Sequence, residues 1–216
     1  MPYDYSGTLN PDKALIFRIV HRDNLPWILA NGLWAGNSTE KSDSWVHIGL
    51  LELIDKRAHH PVPLAPYGVL NDYVPFYFTP FSPMLSNIHA GRGVPRRDND
   101  ELLILVSSLH RMAALELAFL FTDSHAYYQW ANFYDELGQL HRIDWPILQR
   151  RDFKRDPDDP AKFERYQAEA LIHQHCPVEA LLGVVCYNER VKSWIEQLMA
   201  QSGITLPVHV RPRWYF

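Results

Sequence analysis

A glutamine and a glutamate that flank one alanine, in the triplet Gln167-Ala168-Glu169, stand where a helical pattern gives way to a β-rich one. Because side chains two residues apart on a strand point to the same face, both polar groups can face one cleft. A carboxylate held in a cleft is compatible with an enzyme active site. A solvated helix end is the simpler interpretation of an isolated glutamate, so the triplet alone does not identify a catalytic site.

Aromatic and basic residues form the second pattern that could do chemistry. Tyr127, Trp130 and Tyr134 recur at helical spacing and predict one face of a helix, which in most proteins is a core face. Arg57 precedes a proline-rich loop and by itself is most simply a surface charge. Further cations stand on or beside predicted loops, at Arg92, Arg96, Arg97, Arg150, Arg151, Lys154 and Arg155. Aromatic rings beside cations favour a single-stranded nucleic acid, because bases stack on rings while cations neutralise phosphates.

The other reactive side chains fit no familiar site. His173, His175, Cys176 and Cys186 match no common zinc spacing, and the two histidines alternate as strand residues do. We therefore expect no metal, and buried unreactive thiols explain the cysteines more simply than a Cys–His nucleophile. The sequence also lacks the glycine-rich signatures of dinucleotide-binding and P-loop folds and the G-x-S-x-G motif.

Short strands and helices alternate along the chain and must position these groups. β-rich segments are predicted at residues 14–20, 73–78, 102–106, 118–121, from 169 onward, 181–186 and 206–211. Helices are predicted from Asp23 as cap to Gly32, around 50–58, from Ser82 to Gly91, over 124–140, from Asp144, from Asp159 and over 189–201. Pro75 predicts an edge or a bulge in its strand. About seven short strands with segregated helices predict an α+β fold.

Composition limits the class of protein. The 216 residues, 47% of them hydrophobic and 21% charged, suffice for one domain with a buried core. A net charge of −4 argues against non-specific coating of nucleic acid but allows a local basic groove. No apolar run approaches the roughly 20 residues of a membrane helix, and residues 1–5 carry no secretory pattern. With two cysteines in the chain, we expect a cytoplasmic protein that does not enter membranes.

Five segments, in order over nearly the whole chain, carry a resemblance to a known family. They are residues 18–25 (RIVHRDNL), 71–78 with 82–85 (NDYVPFYF and SPML), 121–125 (FTDSH), 167–169 (QAE) and 214–215 (WY). Together they resemble the DarT-type DNA ADP-ribosyltransferases, which are the toxins of toxin–antitoxin pairs. The combination is specific, whereas any one motif alone is not.

The resemblance implies a single ADP-ribosyltransferase domain over residues 1–216, an α+β fold with central mixed or antiparallel β-sheets flanked by helices. Such enzymes use NAD as substrate, release nicotinamide and transfer ADP-ribose, without a metal. The implied acceptor is N3 of a thymine in single-stranded DNA, within a short sequence context. The implied partner is an antitoxin with an ADP-ribosyl-hydrolase macrodomain, and we expect the chain to be a monomer.

The resemblance also assigns residues to the site. Glu169 is the implied catalytic glutamate, Arg57 the essential arginine and His125 a histidine that lines the site. The residues implied to bind NAD are Arg18, Val20, His21, Leu25, Arg57, Tyr77 and Met84, with residues 18–21 acting through backbone groups. The residues expected to contact DNA are Tyr127, Arg96, Arg97, Lys154 and Arg155.

This sequence departs from the family pattern at one position. Many members carry an aromatic residue followed by histidine where this chain has Phe17-Arg18, so the usual NAD-anchoring histidine is absent. The other histidine of that motif, His21, is present. The contact that position 18 makes with NAD is therefore not implied by the resemblance.

The residue types suit the implied reaction. An ionised Glu169 would stabilise the oxocarbenium-like ribose that forms as nicotinamide leaves. Thymine N3 must lose its proton as it attacks, and Arg57 is a doubtful base because a guanidinium holds its proton far above neutral pH. Arg57 could instead stabilise the thymine anion or the pyrophosphate, and His125 is the chemically easier proton acceptor. Two alternatives remain, an NAD-using enzyme with a protein, RNA or water acceptor, and a non-catalytic single-strand-binding module.

Overall fold

The computed structural model describes residues 4–216. Residues 1–3 lie outside the described residues. They belong to the segment 1–5 in which the sequence shows no secretory pattern. Within residues 4–216 no helix has both the length and the apolar character needed to cross a bilayer. The helices of this range are α1 (Leu25–Asn31), α2 (Leu51–Arg57), α3 (Pro83–Ala90), α4 (Leu109–Ala114), α5 (Trp145–Gln149), α6 (Lys162–Arg165) and α7 (Glu189–Ser202). Its strands are β1 (Leu15–His21), β2 (Leu33–Trp34), β3 (Tyr73–Tyr77), β4 (Leu102–Ser108), β5 (Phe119–Thr122), β6 (Phe133–Tyr134), β7 (Glu169–His173), β8 (His175–Cys176), β9 (Gly183–Cys186) and β10 (Val208–Val210).

Eight strands of the described chain form one sheet in the order β10-β9-β4-β1-β3-β7-β5-β6, and β2 pairs with β8 in a small second sheet. Neighbouring strands run antiparallel except for the parallel pair β10 and β9. The helices lie between the strands in sequence and pack around the sheet. One parallel crossover, β9-α7-β10, occurs in the described chain, and the other pairs of the sheet are antiparallel. The predicted α+β fold with antiparallel sheets flanked by helices is therefore confirmed.

The large sheet is nearly divided between β1 and β3. Seven residues of β1 pair with β4 and five residues of β3 pair with β7, but β1 and β3 share only the pair Phe17–Tyr77 within residues 4–216. Beyond that pair the two strands diverge. The divergence leaves an opening in the middle of the sheet, with a well-paired half on each side.

Pro75 lies in β3 beside this opening. The predicted edge position is wrong, because β3 is an internal strand in the order of the sheet. The carbonyl oxygen of Pro75 accepts a hydrogen bond from Arg18 Nη1 at 2.7 Å, where a strand ladder would otherwise continue. In a strand the nitrogen and carbonyl of one residue point to the same side, so the missing N–H of Pro75 faces the opening and costs the sheet no β3–β7 hydrogen bond.

Capping residues set the limits of α3 as the sequence predicts. Ser82 Oγ accepts a hydrogen bond from the backbone N–H of Leu85 at 3.2 Å, and Pro83 occupies the first helical position. Gly91 ends the helix with a φ of +67°, in the left-handed region. The helix therefore begins and ends at residues whose local chemistry specifies those positions.

The start of α1 differs from the prediction. Asp23 does not cap the helix but lies in a 3₁₀ turn, where His21 Nδ1 accepts its backbone N–H at 3.2 Å. The prediction of Asp23 as cap is wrong, because the N-cap residue of α1 is Asn24, and its side chain makes no capping hydrogen bond. His21 caps only the 3₁₀ turn that precedes α1. Gly32 ends α1 with a φ of +74°, as predicted.

The helix predicted over residues 124–140 does not form. Residues 123–132 are instead a loop between β5 and β6, and β6 returns to pair with β5. Tyr127, Trp130 and Tyr134 therefore share no helical face, and that prediction is wrong.

Asp123 explains why the loop forms in place of a helix. Its Oδ1 accepts the backbone N–H of Asn132 at 3.1 Å. Its Oδ2 accepts the side-chain amide of Asn132 at 2.8 Å and the hydroxyl of Tyr134 at 3.1 Å. The carboxylate thus binds the far end of the loop rather than the N–H groups of a first helical turn.

A small apolar cluster supports this loop from below. Leu70, Tyr73, Leu171 and Ala126 are buried together with Val62 from the proline-rich segment. The cluster joins residues before β3, residues of β7 and the loop, so the three meet at one end of the opening in the sheet.

Gly32→Ala is expected to lower the free energy of unfolding by about 3 kcal/mol or more. At its φ of +74° and ψ of −163°, a conformation that only glycine adopts readily, an added Cβ would lie 2.5 Å from His175 Nε2 and 2.7 Å from the Cys176 carbonyl oxygen. Urea unfolding of both proteins measures the change.

The matched control is Gly203→Ala. Gly203 has a φ of +68°, but a Cβ there meets no atom within 4 Å, so the expected loss is about 1 kcal/mol. Equal losses at the two positions would show that the close approach of His175 and Cys176 to Gly32 adds nothing to the cost of the substitution.

Candidate active site

A cleft of about 590 Å³ occupies the opening between β1 and β3. It is lined by residues of these two strands, by the start of β7, by the helices α2 and α3 and by His125. Seven residues that the resemblance assigns to the site are among those that line it: Arg18, Val20, Arg57, Tyr77, Met84, His125 and Glu169. The volume is within the range of small-molecule sites.

Glu169 is the first residue of β7 and lies opposite Tyr77 of β3. Its backbone N–H donates to Thr122 Oγ1 at 3.2 Å, and the Thr122 hydroxyl donates to the Ser124 carbonyl oxygen at 2.6 Å. These two bonds tie the start of β7 to the end of β5. The carboxylate itself is almost fully buried at the base of the cleft.

Arg57, the last residue of α2, holds this carboxylate. Its Nη1 donates to Glu169 Oε2 at 2.9 Å and to Oε1 at 3.2 Å. The side-chain amide of Asn71 donates to the Ile54 carbonyl oxygen at 2.9 Å, which fixes α2 against the segment that leads into β3. Arg57 is buried, and its Nη2 has no hydrogen-bond partner among the described residues, so one donor is available to a ligand.

The loop after β5 supplies the remaining contacts to Glu169. The backbone N–H of Ala126 donates to Oε1 at 3.0 Å, and His125 Nδ1 lies 3.3 Å from the same oxygen. The backbone N–H of Tyr127 also donates to His125 Nδ1, at 3.2 Å, so Nδ1 carries a lone pair there. A neutral imidazole with its proton on Nε2 satisfies that bond, and a proton taken up at Nδ1 would lie between His125 and Glu169.

Opposing effects set the charges of these groups. Burial by itself would raise the pKa of Glu169. The positive charge of Arg57 opposes this effect, together with His125 and the hydrogen bond from the Ala126 N–H, and the pKa of Glu169 lies below its ordinary value. Burial lowers the pKa of His125, and Arg57 adds to this effect, although Glu169 opposes both. The site at neutral pH therefore contains a carboxylate, a guanidinium and a neutral imidazole.

Arg18 brings a second guanidinium to the floor of the cleft. Burial, and then the charge of Arg57, lowers the pKa of Arg18 to about 10, so it remains a cation at neutral pH. Its Nη1 binds the Pro75 carbonyl oxygen, while its Nε is buried without a partner among the described residues. Two guanidiniums face one carboxylate, and the base of the cleft has excess positive charge.

Tyr77 of β3 and Met84 of α3 both line the cleft and contact each other. The Tyr77 hydroxyl lies 4.0 Å from Met84 Sδ. Burial, and then the charge of Glu169, raises the pKa of Tyr77, so its hydroxyl remains protonated and can donate a hydrogen bond.

Two residues assigned to NAD binding lie outside the cleft lining. His21 is buried, with its Nε2 3.5 Å from Glu101 Oε1 and its Nδ1 bound to the backbone N–H of Asp23. Leu25 is fully buried in the core as the first residue of α1. The structure therefore does not bring these two side chains together with Glu169. The residues of this motif that line the cleft are Arg18, Ile19, Val20 and Asn24.

The residues predicted to bind DNA occupy the rim. Arg155 lies over the ring of Phe163, 4.7 Å from its centroid, and Phe163 lines the cleft. Lys154 beside it is exposed. Tyr127 follows His125, and its ring lies 5.2 Å from that of His60.

Arg96 and Arg97 belong to the loop after α3, of which Arg92 and Val94 line the cleft. Arg96 is exposed, whereas Arg97 Nη1 lies 3.7 Å from Glu101 Oε1 and is partly neutralised. The two predicted basic loops therefore approach the cleft from different elements.

The residues weighed for metal binding are dispersed. His175 stacks on Trp34, while His173 contacts Tyr73. Burial raises the pKa of Cys176 to about 12, which leaves it an unreactive thiol. No cluster of three or more His, Cys, Asp or Glu side chains suited to a metal ion occurs in the described part of the chain.

Several cleft residues give no signal in the sequence. The Ala126 N–H is a backbone group, so no residue type marks it as a carboxylate ligand. Trp27, Trp34 and Trp45 line the cleft, but nothing distinguishes them from the other tryptophans before the fold is known. Phe163 lines it too, and the cation of Arg155 over its ring becomes visible only in three dimensions.

Comparison with known proteins agrees with this geometry. A family model described as "ssDNA thymidine ADP-ribosyltransferase, DarT" matches residues 17–216. A DNA ADP-ribosyl transferase from Escherichia coli O127:H6 is 63% identical over 217 residues, which covers 100% of both chains. Another from Thermus sp. strain 2.9 is 34% identical over 212 residues, covering 95% of this chain and 98% of the relative.

Solved structures are similar over the same length. Thermus sp. 2.9 DarT in complex with ADP-ribosylated ssDNA has a TM-score of 0.88 and 31% identity, with 100% of both chains covered. Thermus sp. 2.9 DarT in complex with NAD+ has a TM-score of 0.83 and 32% identity, covering 95% of this chain and 99% of the other.

His125→Asn is expected to make stability less dependent on pH between about pH 7 and pH 5. Because the folded-state pKa of His125 lies below its ordinary value of 6.5, the unfolded chain binds a proton there that the folded chain does not. Stability from this group is present above pH 6.5 and is lost as the pH falls, with a slope of at most about 1.4 kcal/mol per pH unit.

Urea unfolding at pH 7, 6 and 5 measures the slope, and the same substitution at exposed His209 is the matched control. His60 and His173, whose pKa values burial also lowers, leave a residual slope in the variant. An unchanged slope in His125→Asn would show that the imidazole is not held in its neutral form by the fold.

Proposed function

This chain belongs to the DarT family of single-stranded DNA thymidine ADP-ribosyltransferases, and from that premise we propose how its own residues carry out the reaction. It is an NAD-dependent enzyme that ADP-ribosylates single-stranded DNA. NAD supplies the ADP-ribosyl group when its nicotinamide leaves. The observation that carries the proposal is the buried carboxylate of Glu169, which Arg57 and the Ala126 N–H hold at the base of a cleft.

The cleft fits NAD in charge and size. The excess positive charge of Arg18 and Arg57 over Glu169 suits a diphosphate, and both guanidiniums carry a buried N–H without a partner among the described residues. We assign to Arg18 and Val20 the nicotinamide side of the site, and to Tyr77 and Met84 its opposite wall. Arg18 is the cation that this chain has where many family members have histidine.

Glu169 is the proposed catalytic residue. Its Oε1 accepts hydrogen bonds from Arg57 and from the Ala126 N–H and lies 3.3 Å from His125 Nδ1. Within residues 4–216 its Oε2 has only Arg57 as a partner. Oε2 therefore keeps acceptor capacity for a ribose hydroxyl. An ionised carboxylate there stabilises the positive charge that builds on the ribose as its bond to nicotinamide breaks.

The acceptor step requires removal of a proton from thymine N3, which we propose as the attacking atom. A bond forms between N3 and the ribose carbon as the N3 proton leaves, and His125 takes that proton. The lowered pKa of His125 supports this role, because a neutral imidazole can accept a proton at neutral pH. Arg57 keeps its own proton, orients Glu169 and offers Nη2 to the developing negative charge or to the pyrophosphate.

The biological setting follows from the family. We propose that the chain is the toxin of a toxin–antitoxin pair, counteracted by a partner with an ADP-ribosyl-hydrolase macrodomain. We also propose that it acts as a monomer in the cytoplasm. A protein or RNA acceptor and a non-catalytic binding module receive no specific support from the site.

Glu169→Gln is expected to lower ADP-ribose transfer at least about 100-fold, because it removes the charge that stabilises the transition state. Mass spectrometry of a thymine-containing oligonucleotide incubated with NAD follows the transfer, and nicotinamide release gives a second readout. An oligonucleotide without thymine tests the acceptor. Thermal unfolding establishes that the variant is folded, since Arg57 loses its counter-ion.

Glu101→Gln is the matched control for this variant. Glu101 also accepts a backbone N–H, from Asp98 at 2.8 Å, and also contacts a histidine, His21, but it does not line the cleft. Full transfer is expected from the control. Equal transfer by the two variants would end the assignment of Glu169.

Joint replacement of Arg96, Arg97, Lys154 and Arg155 by glutamine is expected to weaken oligonucleotide binding and to reduce its salt dependence. For single strands, each lost phosphate contact lowers the slope of log K against log salt by about 0.7. Binding titrations at several salt concentrations measure the slope. Each loop is also replaced separately, and we expect the smaller effect from Arg97, which Glu101 already neutralises in part.

The control for charge alone is the pair Arg190→Gln and Lys192→Gln on α7, a helix that does not line the cleft. Its slope is expected to remain that of the unchanged chain. If the loop variants and the α7 variant behave alike, the basic loops do not contact phosphates.

A further inference from the structure

The loop between β5 and β6 presents a stacked pair of rings at the surface. Tyr128 and Trp130 lie face to face, with ring centroids 4.7 Å apart and planes inclined by 11°. Trp130 is 62% exposed, which is unusual for a large aromatic side chain. Tyr128 covers one face of the indole, and no other ring contact of Trp130 occurs within the described residues.

These rings connect to the catalytic carboxylate. The ring of Tyr128 packs edge-on against His125 with centroids 5.5 Å apart, and His125 lies 3.3 Å from Glu169. A chain of three rings therefore runs from the base of the cleft to the surface. The exposed indole is thus two ring contacts away from the imidazole that lies beside Glu169.

The loop holds the rings in place before any ligand binds. Asp123 binds Asn132 and Tyr134 across the loop, and the Ala126 N–H is bound to Glu169. An aromatic surface that is already ordered loses little conformational entropy when a planar group stacks on it.

We propose that Tyr128 and Trp130 form a stacking platform for one unpaired base of the DNA substrate, next to the target thymine in the strand. The proposal rests on the proposed function, since it names a further part of the same substrate site. A base offers a flat π-face to the free side of the indole, as in other single-strand-binding sites. A single exposed ring on its loop suits one base, whereas a stable protein interface needs a much larger apolar area.

The first test uses the full chain and a labelled single-stranded oligonucleotide with one target thymine. Trp130→Ala is expected to weaken binding about 5- to 100-fold, the effect of losing one base–aromatic stack. The salt dependence of binding is expected to persist, because no phosphate contact is lost. Trp130→Phe, which keeps a π-face, is expected to recover much of the affinity.

The matched control is Tyr67→Ala. Tyr67 is 61% exposed, like Trp130, but lies on the proline-rich loop and has no ring contact with Tyr128 or Trp130 among the described residues. We expect this variant to bind the oligonucleotide as the unchanged chain does.

The second test locates the base. One abasic nucleotide is placed in turn at each position on either side of the target thymine, and binding is measured with the unchanged chain and with Trp130→Ala. At one flanking position the two losses are expected to be non-additive, because the abasic site and the alanine remove the same contact.

The outcomes separate this inference from the proposed function. If the unchanged chain transfers ADP-ribose and Trp130→Ala binds DNA equally well, or if the losses add at every position, the platform is overturned and the proposed function stands. If the unchanged chain modifies no thymine, the proposed function fails whatever Trp130 does.

Discussion

The buried ion pair between Arg57 and Glu169 is the interaction on which the site depends. The two residues are 112 positions apart, and removing their charges from water costs several kcal/mol per ion unless each is paired and hydrogen-bonded. The Ala126 N–H also donates to the carboxylate, and His125 lies beside it with Nδ1 3.3 Å from Oε1. The end of α2, the loop after β5 and the start of β7 must therefore meet at one point, because any other arrangement leaves a buried charge without compensation.

The divergence of β1 and β3 gives this ion pair a place that substrates can reach. A fully paired eight-stranded sheet would cover Glu169 with backbone, whereas here one pair of residues joins two well-paired halves of the described sheet. Arg18 bridges the opening through the Pro75 carbonyl oxygen. The fold thus combines a well-paired half-sheet on each side with a polar floor between them. Arg18 comes from the β1 side, and Glu169 and His125 come from the side of β7 and β5.

Local patterns predicted the elements better than the site. Ser82 and Gly91 specify the limits of α3 through their own backbone chemistry, so the sequence was sufficient there. The stripe of aromatics after Asp123 has helical spacing, but the Asp123 carboxylate binds Asn132 nine residues away, and a local pattern cannot reveal that competition. The catalytic residues came from a family resemblance rather than from spacing. His21 belongs to the same motif as Arg18 yet faces Glu101, because strand residues an odd number of positions apart point to opposite faces, and these two are three apart.

The hydrogen bond from the Ala126 main chain to Glu169 has a consequence for divergence within the family. A side-chain donor can be deleted by point mutation, but a peptide N–H is lost only to proline. Tyr128 and Trp130 lie further along the same loop, and neither side chain takes part in this hydrogen bond. A change of residue type at either position therefore leaves the bond from the Ala126 N–H to Glu169 in place. In the proposed platform, the side chains that would contact a neighbouring nucleotide are therefore separate from the main-chain group that holds Glu169.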